Sequence, residues 1–268
     1  MRKYQNILLW LTAIVITLSS AIYQRQTGPT YPVKGTLELN GAAIEYSLPR
    51  SHNSGSDAEV RIAVPDRQST GAYRYRRFRS NDEWQTITMT RDGDDLVALI
   101  PSQPPAGKVQ YVITISSDST AFQPLTDQPV TIRYKGAVPA FILIPHILFI
   151  FIAMLLSNRS GLQALTREGY LYPYALWTTL LLLAGGLLLG PVVQKYAFDA
   201  YWTGWPWGHD LTDNKTLVAF MFWVVAVWKN RHYRRPGWVL VASIVLLLVY
   251  LIPHSVLGSE LDYAALEQ

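Results

Sequence analysis

The sequence predicts an α-helical membrane bundle of about five transmembrane helices with an all-β domain inserted after the first. Three observations lead there. Residues 7–18, 138–157, 171–193, 216–228 and 238–252 are almost free of charge, whereas residues 24–135 hold most of the polar and charged positions. Uncharged apolar runs spaced in this way are the mark of membrane spans. The cations alternate with the runs: Arg2 and Lys3 precede the first, Arg159 and Arg167 lie between the second and third, and Lys229, Arg231, Arg234 and Arg235 crowd the link between the fourth and fifth. Five spans with those segments cytoplasmic satisfy the positive-inside rule. Between residues 33 and 134 the pattern changes to short alternating stretches separated by turn residues, which is strand chemistry.

In chain order, residues 1–23 are expected to form an N-terminal transmembrane helix or uncleaved signal anchor. MRK, a short apolar core and the small residues of LSSA also describe a cleavable signal peptide, and either form exports the domain downstream of it. Residues 24–137 are expected as an exported β-sandwich, and residues 138–268 as four transmembrane helices with a tryptophan-rich outer loop at 194–215. This places the N-terminus in the cytoplasm of a bacterial inner membrane and the β-domain and C-terminus on the periplasmic or extracellular side. The formal charge of +4 and pI near 9.2 then reflect topology, and nucleic acid is not an expected partner. With no cysteine, the exported domain has no disulfide, and the chain offers neither a thiolate metal site nor a C-x-x-C-H haem attachment.

Eight stretches of the β-domain read as strands: TLEL, AIEYSL, EVRIAV, AYRYRRF, WQTITM, DLVALI, KVQYVITI and VTIRY. About eight strands in roughly a hundred residues fit a β-sandwich. The order of features, a YRR strand, Trp84, a turn at Asp92-Gly93, then PPAGKVQYVITI with Tyr111 on a late strand, resembles the immunoglobulin and fibronectin type III superfamily. That resemblance implies a sandwich fold and no particular activity. Arg74, Arg76, Arg77 and Arg79 are the most basic stretch of the domain. They read as a solvated strand face or as a docking patch for an acidic partner or anionic headgroups. His52, in SHNSGSD, reads as a loop residue.

The sequence LIPH occurs twice, at 143–146 and 251–254, each time within an apolar run. The second span runs inward and the fifth outward, so His146 and His254 are expected at similar depth in the outer leaflet. Ionisable groups at that depth point to function, and Pro145 and Pro253 each interrupt the backbone ladder beside them. Two of the spans, 216–228 and 238–252, are short for a hydrocarbon core of roughly 30 Å and must be tilted very little, sit in a thinned region or draw flanking polar residues into the outer leaflet. In the third, Gly186-x-x-x-Gly190 is sufficiently explained by close helix packing. No Gly-rich phosphate loop, G-x-S-x-G elbow or H-E-x-x-H is present, which removes support for nucleotide hydrolase, esterase and zincin chemistry.

The outer loop reads QKYAFDAYWTGWPWGHDLTDNKT. An interfacial aromatic belt explains one or two of its tryptophans, but not the histidine, acids and lysine that come next. The residues Trp202, Trp205, Trp207 and Asp210, leading through Asp213 to Thr216, resemble the tryptophan-rich outer-face motif of membrane proteins that handle haem during cytochrome c maturation. The spacing departs from that motif, the acidic-threonine ending is missing, and this chain has fewer spans. WTGWPWGHDLTDNKT together with IPHSVLGSELDY also resembles a bacterial membrane family from which no activity carries over.

Two sets of ligands are compatible with these residues, and the sequence does not choose between them. His146 and His254 could ligate one haem b from opposite sides, with Trp202, Trp205 and Trp207 packing the porphyrin and Lys195 or Lys215 meeting a propionate. Alternatively His146, His209 and His254, with Asp210, Asp213 or Glu260, form a nitrogen and oxygen set suited to iron, copper or zinc. The expected function is cofactor handling, electron transfer or respiratory complex assembly at the outer face of the membrane. The competing expectation is a cofactor-free scaffold or accessory subunit whose β-sandwich docks another membrane or periplasmic protein.

Overall fold

A computed structural model describes residues 3–117, 120–166, 169–253, 260, 261 and 263. The chain divides into two compact units. One contains the N-terminal helix and the chain from Val138 to the end of the last helix. The other contains Thr30–Ala137 together with Glu260, Leu261 and Tyr263.

The helical unit is built from α1 (Lys3–Thr27), α2 (Ala140–Ala164), α3 (Tyr172–Leu181), a π-helical segment (Leu182–Leu189), α4 (Gly190–Phe198), α5 (Leu211–Asn230) and α6 (Pro236–Leu251). α3, the π-helical segment and α4 run on as one helix, Tyr172–Phe198. This helix, Lys3–Thr27 and Ala140–Ala164 are long and apolar enough to cross a membrane. The other two differ from expectation in informative ways. α5 begins five residues before the apolar run at 216, because Asp210 caps it by accepting from Thr212 N at 2.7 Å and Asp213 lies in its first turn. Side-chain oxygens and negative charge at a helix N-terminus satisfy orphan N–H groups and oppose the dipole. α6 has 16 residues and is shorter than the three long helices.

The interior of this unit is rich in small and polar residues. Ala153, Ala175, Ala219, Ala226 and Ala242 are buried around Met154, Trp223 and Leu246. Ser157, Asn158, Arg159, Ser160, Gln163, Thr178 and Ser243 are buried with them. Their polar atoms tie helices together: Asn158 Nδ2 donates to Thr17 Oγ1 at 2.9 Å, and Ser243 Oγ to Ser157 O at 2.9 Å. A Cβ on Gly161 would collide with the Ser243 side chain, which shows how closely α2 and α6 approach. Many large apolar side chains, among them Leu8, Ile14, Phe141, Ile144, Leu188 and Leu248, face outward.

The β unit holds eleven strands: β1 (Val33–Leu39), β2 (Ala42–Leu48), β3 (Ser51–Asn53), β4 (Ala58–Ala63), β5 (Thr70–Arg77), β6 (Gln85–Thr88), β7 (Thr90–Asp92), β8 (Asp95–Ile100), β9 (Lys108–Ser117), β10 (Thr120–Pro124) and β11 (Val130–Lys135). The eight expected stretches all lie on strands, and β3, β7 and β10 are additional. β1 and β2 form a hairpin. β3, β11, β9, β5 and β6 lie side by side with β10 also on β9, and β4, β8 and β7 make a third sheet. Pairing is antiparallel except between β3 and β11.

Turn chemistry sets these registers. Asn40 and Gly41 both take positive φ, at 51° and 77°, which is the requirement of a two-residue hairpin loop between Leu39 and Ala42. Strand alternation does the rest. In β4, Ala58, Val60 and Ile62 point inward while Glu59, Arg61 and Ala63 point out. Inward residues of all three sheets share one core, including Leu48, Ile62, Ile100, Ile113 and Ile132. Tyr111 and Tyr134 are buried whole, and each hydroxyl donates to a backbone carbonyl at 2.8 Å, Pro49 O and Ile100 O respectively. Their polar tips are thereby satisfied inside an apolar core.

Candidate functional site

The tryptophan-rich loop joins α4 to α5. α4 ends where Asp199 turns left-handed, with φ 62°, its N–H on Lys195 O at 2.9 Å and its carboxylate on Lys195 Nζ at 2.6 Å. Lys195 is therefore held by its own helix terminus. From there the chain folds onto the first turn of α5 through side-chain clamps. Asp213 Oδ2 accepts from Thr203 N at 2.7 Å, and Asn214 Oδ1 accepts from Trp205 N at 2.6 Å. Asp210 N donates to Thr203 O at 2.9 Å. The Gln194 amide lies between Thr203 Oγ1, at 2.7 Å, and the Asp213 carboxylate, at 3.0 and 3.2 Å.

Two details fix the path. A Cβ on Gly204 would stand 2.6 Å from Asp213 Cβ, so only glycine lets the loop approach α5 so closely. Trp202 Nε1 donates to Trp205 O at 3.1 Å, closing the turn. The other aromatic rings point away: Trp205 is 68% exposed and Trp207 82% exposed, with Tyr201 and His209 exposed beside them. Trp202 is half-buried.

The remaining expected residues have other partners. Lys215 is buried and its Nζ donates to Ile252 O at 2.6 Å, capping the end of α6 where the last carbonyls lack helical partners. Glu260 belongs to the β unit, where its carboxylate meets Lys108 Nζ and, at 2.8 Å, Arg79. His254 lies outside the described residues. His146 Nδ1 lies 2.8 Å from Gly185 O, in the π-helical segment. Since a carbonyl only accepts, Nδ1 carries the proton. Gly185 is required there as well, because a Cβ would stand 2.8 Å from Phe149 Cβ.

The structure thus gathers Trp202, Trp205, Asp210 and Asp213 into one loop, while Lys195 and Lys215 are bonded at helix ends. Among the described residues, no three His, Cys, Asp or Glu side chains are grouped as a metal set. Gln194 and Thr203 carry no signal in the sequence beyond hydrogen-bonding capacity next to the aromatic run, and Asn214 reads there only as a polar flank of the fourth span. Arg159, expected in the link after the second span, lies within α2 and is fully buried, with NH1 on Gln163 Oε1 and NH2 on Asn6 Oδ1, both at 2.6 Å. Its guanidinium lies over Trp10 and Tyr174, 5.4 and 5.3 Å from the ring centroids.

The basic stretch of the β unit also separates into roles. Arg77 grips Asp82 through Nε and NH2, both at 2.7 Å, which holds the Asp82 carboxyl below the usual carboxylate range. Burial lowers the affinity of Lys108 for its proton, against the opposing pull of Glu260. Tyr263 OH accepts from Lys108 N at 2.9 Å, and Leu261 N donates to Ala106 O at 3.3 Å, so this part of the tail is bonded into the unit. Arg74 and Arg76 both lie over the Trp84 ring, 5.0 and 4.7 Å from its centroid. No protein-family model matches the chain, and no curated protein sequence matches it.

Proposed function

We propose that this chain is an accessory or scaffold protein of the bacterial inner membrane, which crosses five times and presents an immunoglobulin-like sandwich outside as a docking module. The observation that carries this reading is the use made of Asp210 and Asp213. Their carboxylates bind backbone N–H groups of their own loop and helix, so this polar stretch of the helical unit shapes the loop between two helices. The exposed Trp205 and Trp207 suit an interfacial belt at the outer surface.

The topology has support of its own. Glu260, Leu261 and Tyr263 are bonded to the β unit, so an even number of crossings must separate residue 137 from residue 260. Four crossings, by α2, the Tyr172–Phe198 helix, α5 and α6, meet that condition. Photo-crosslinkers placed around the surface of the β unit in living cells test the docking. Capture of a partner polypeptide at a contiguous set of positions is expected, and no capture at any position overturns the reading.

One observation favours a second reading. A histidine that ligates a metal usually donates its other ring N–H to a carbonyl or carboxylate, which fixes its tautomer. His146 does this toward Gly185, leaving Nε2 as a lone-pair donor. In that reading His146 ligates haem b or an iron, copper or zinc ion with His254 as its counterpart, and the protein serves cofactor delivery or electron transfer. A Soret band or stoichiometric metal in gently purified protein, lost in His146→Ala, is its test.

A further inference from the structure

The two guanidinium groups on Trp84 stand out because the neighbouring arginines of the domain are occupied. Arg77 holds Asp82, Arg79 holds Glu260, Arg61 holds Glu59 and Asp92, and Arg91 donates to the carbonyls of Val64 and Ser69. Arg74 and Arg76 share an indole instead, and among the described residues no carboxylate contacts either. Arg76 is further steadied by Nε on Gln110 Oε1 at 3.2 Å. Both point away from the core, since alternation along β5 sends Tyr73 inward. Their cross-strand partners are uncharged: Thr86 stands opposite Arg74, Val112 flanks it on β9, and Gln110 flanks Arg76, while Lys108, further along β9 on that face, is paired with Glu260.

The strand beside them is an open edge. β6 lies at the end of its sheet among the described residues, and all four of its residues are exposed. It reads Gln-Thr-Ile-Thr and carries no charge. Natural sheets normally protect such an edge with lysine, proline, a bulge or a cover. Met89 N donates to Gly71 O at 2.8 Å, which sets the phase of the ladder. Alternation then turns the N–H and C=O groups of Thr86 and Thr88 to the open side.

We infer that β6 is the docking edge of the β unit and that its occupant is an acidic extended segment of a partner protein, which pairs as a further strand and offers carboxylates to Arg74 and Arg76. Backbone pairing gives such a mode its affinity and the side chains alongside give its selectivity. The two cations are preorganised on Trp84, and the planar guanidinium matches a carboxylate with two parallel hydrogen bonds. This inference rests on the docking function proposed above and names its surface and the chemistry of the partner.

The test uses the full chain in nanodiscs of neutral lipid and a synthetic decapeptide alternating valine and glutamate. Expected are saturable binding and slowed amide exchange at Thr86 and Thr88. Binding should weaken at least tenfold when the glutamates become lysine, when two central valines become proline, and in Arg74→Glu/Arg76→Glu. Thr88→Pro removes only an outward N–H and should weaken binding as well, while unchanged exchange in β9 shows that the variants are folded. No binding of the acidic peptide, equal binding of the lysine or proline peptides, or capture of anionic vesicles in its place overturns the inference. Cellular crosslinks elsewhere on the β unit, with none from position 86, would overturn this surface and leave the docking function standing.

Discussion

The two units obey one burial rule in opposite directions. In the β unit the large apolar side chains, Ile62, Ile100, Ile113 and Ile132, are inside, and the charges are outside in pairs such as Arg77 with Asp82. In the helical unit the alanines, serines, Asn158 and Arg159 are inside, while Leu8, Phe141, Ile144 and Leu248 cover the outside. In water the second arrangement would expose many large apolar side chains. In lipid it is favourable, since hydrocarbon is as apolar as leucine and helices then associate through close packing and interhelical hydrogen bonds. The difference teaches that solvent, more than composition, decides which residues are core.

The largest expected effect that sharpens this contrast comes from Trp223, a bulky aromatic fully buried among the alanines of the helical unit. Trp223→Ala should destabilise that unit by about 3–5 kcal/mol, as large-to-small core substitutions do. Hydrogen exchange should show the loss in α5 and α6 and leave β9 protected. Next, Asp213→Ala removes the acceptor of Thr203 N and should cost about 1.5–3 kcal/mol, the range for a hydrogen bond to a charged group. Faster exchange at Thr203, together with easier proteolysis in 200–209, reads it out.

Tyr134→Phe tests the other unit. It leaves Ile100 O without its side-chain donor inside the core and should cost about 1–2 kcal/mol, visible as faster exchange in β8 and β11 with the helices unchanged. The smallest effect is a pH dependence. Because Arg77 depresses the Asp82 pKa, this ion pair contributes stability that is fully present above the ordinary carboxylate value of about 3.9 and is lost as pH falls toward the depressed folded value. Acid titration of β-unit exchange should therefore be steeper in the natural protein than in Asp82→Asn.

Much of the architecture was legible because periodicity reports burial. Alternation in EVRIAV and DLVALI marks β4 and β8, and turn residues such as Asn40-Gly41 and Gly93 stand where the hairpins reverse. β3 and β7 were not legible, since three residues are too few for alternation to show, and β10 pairs irregularly with β9. The start of α5 was hidden for another reason. Polarity at 210–215 reads as the end of an apolar run, yet Asp210 and Asp213 are the groups that begin the helix. Arg159 was read from its charge alone, and only the packed structure supplies the rings and amides that accommodate it. In the loop, Trp202, Trp205, Asp210 and Asp213 are conspicuous in the sequence because tryptophans and acids stand close together there. The parts played by Gln194, Thr203 and Asn214 are not legible, because hydrogen-bond networks leave no period in a sequence.

The sidedness of the two units is the property to measure, and a chain without native cysteine is well suited to it. Single substitutions Gln68→Cys, on an exposed turn of the β unit, and Tyr233→Cys, in the link between α5 and α6, can be probed in intact cells with a membrane-impermeant maleimide. Labelling of position 68 in intact cells, and of position 233 only after permeabilisation, is the result expected. Labelling of 233 in intact cells, or protection of 68, would contradict it.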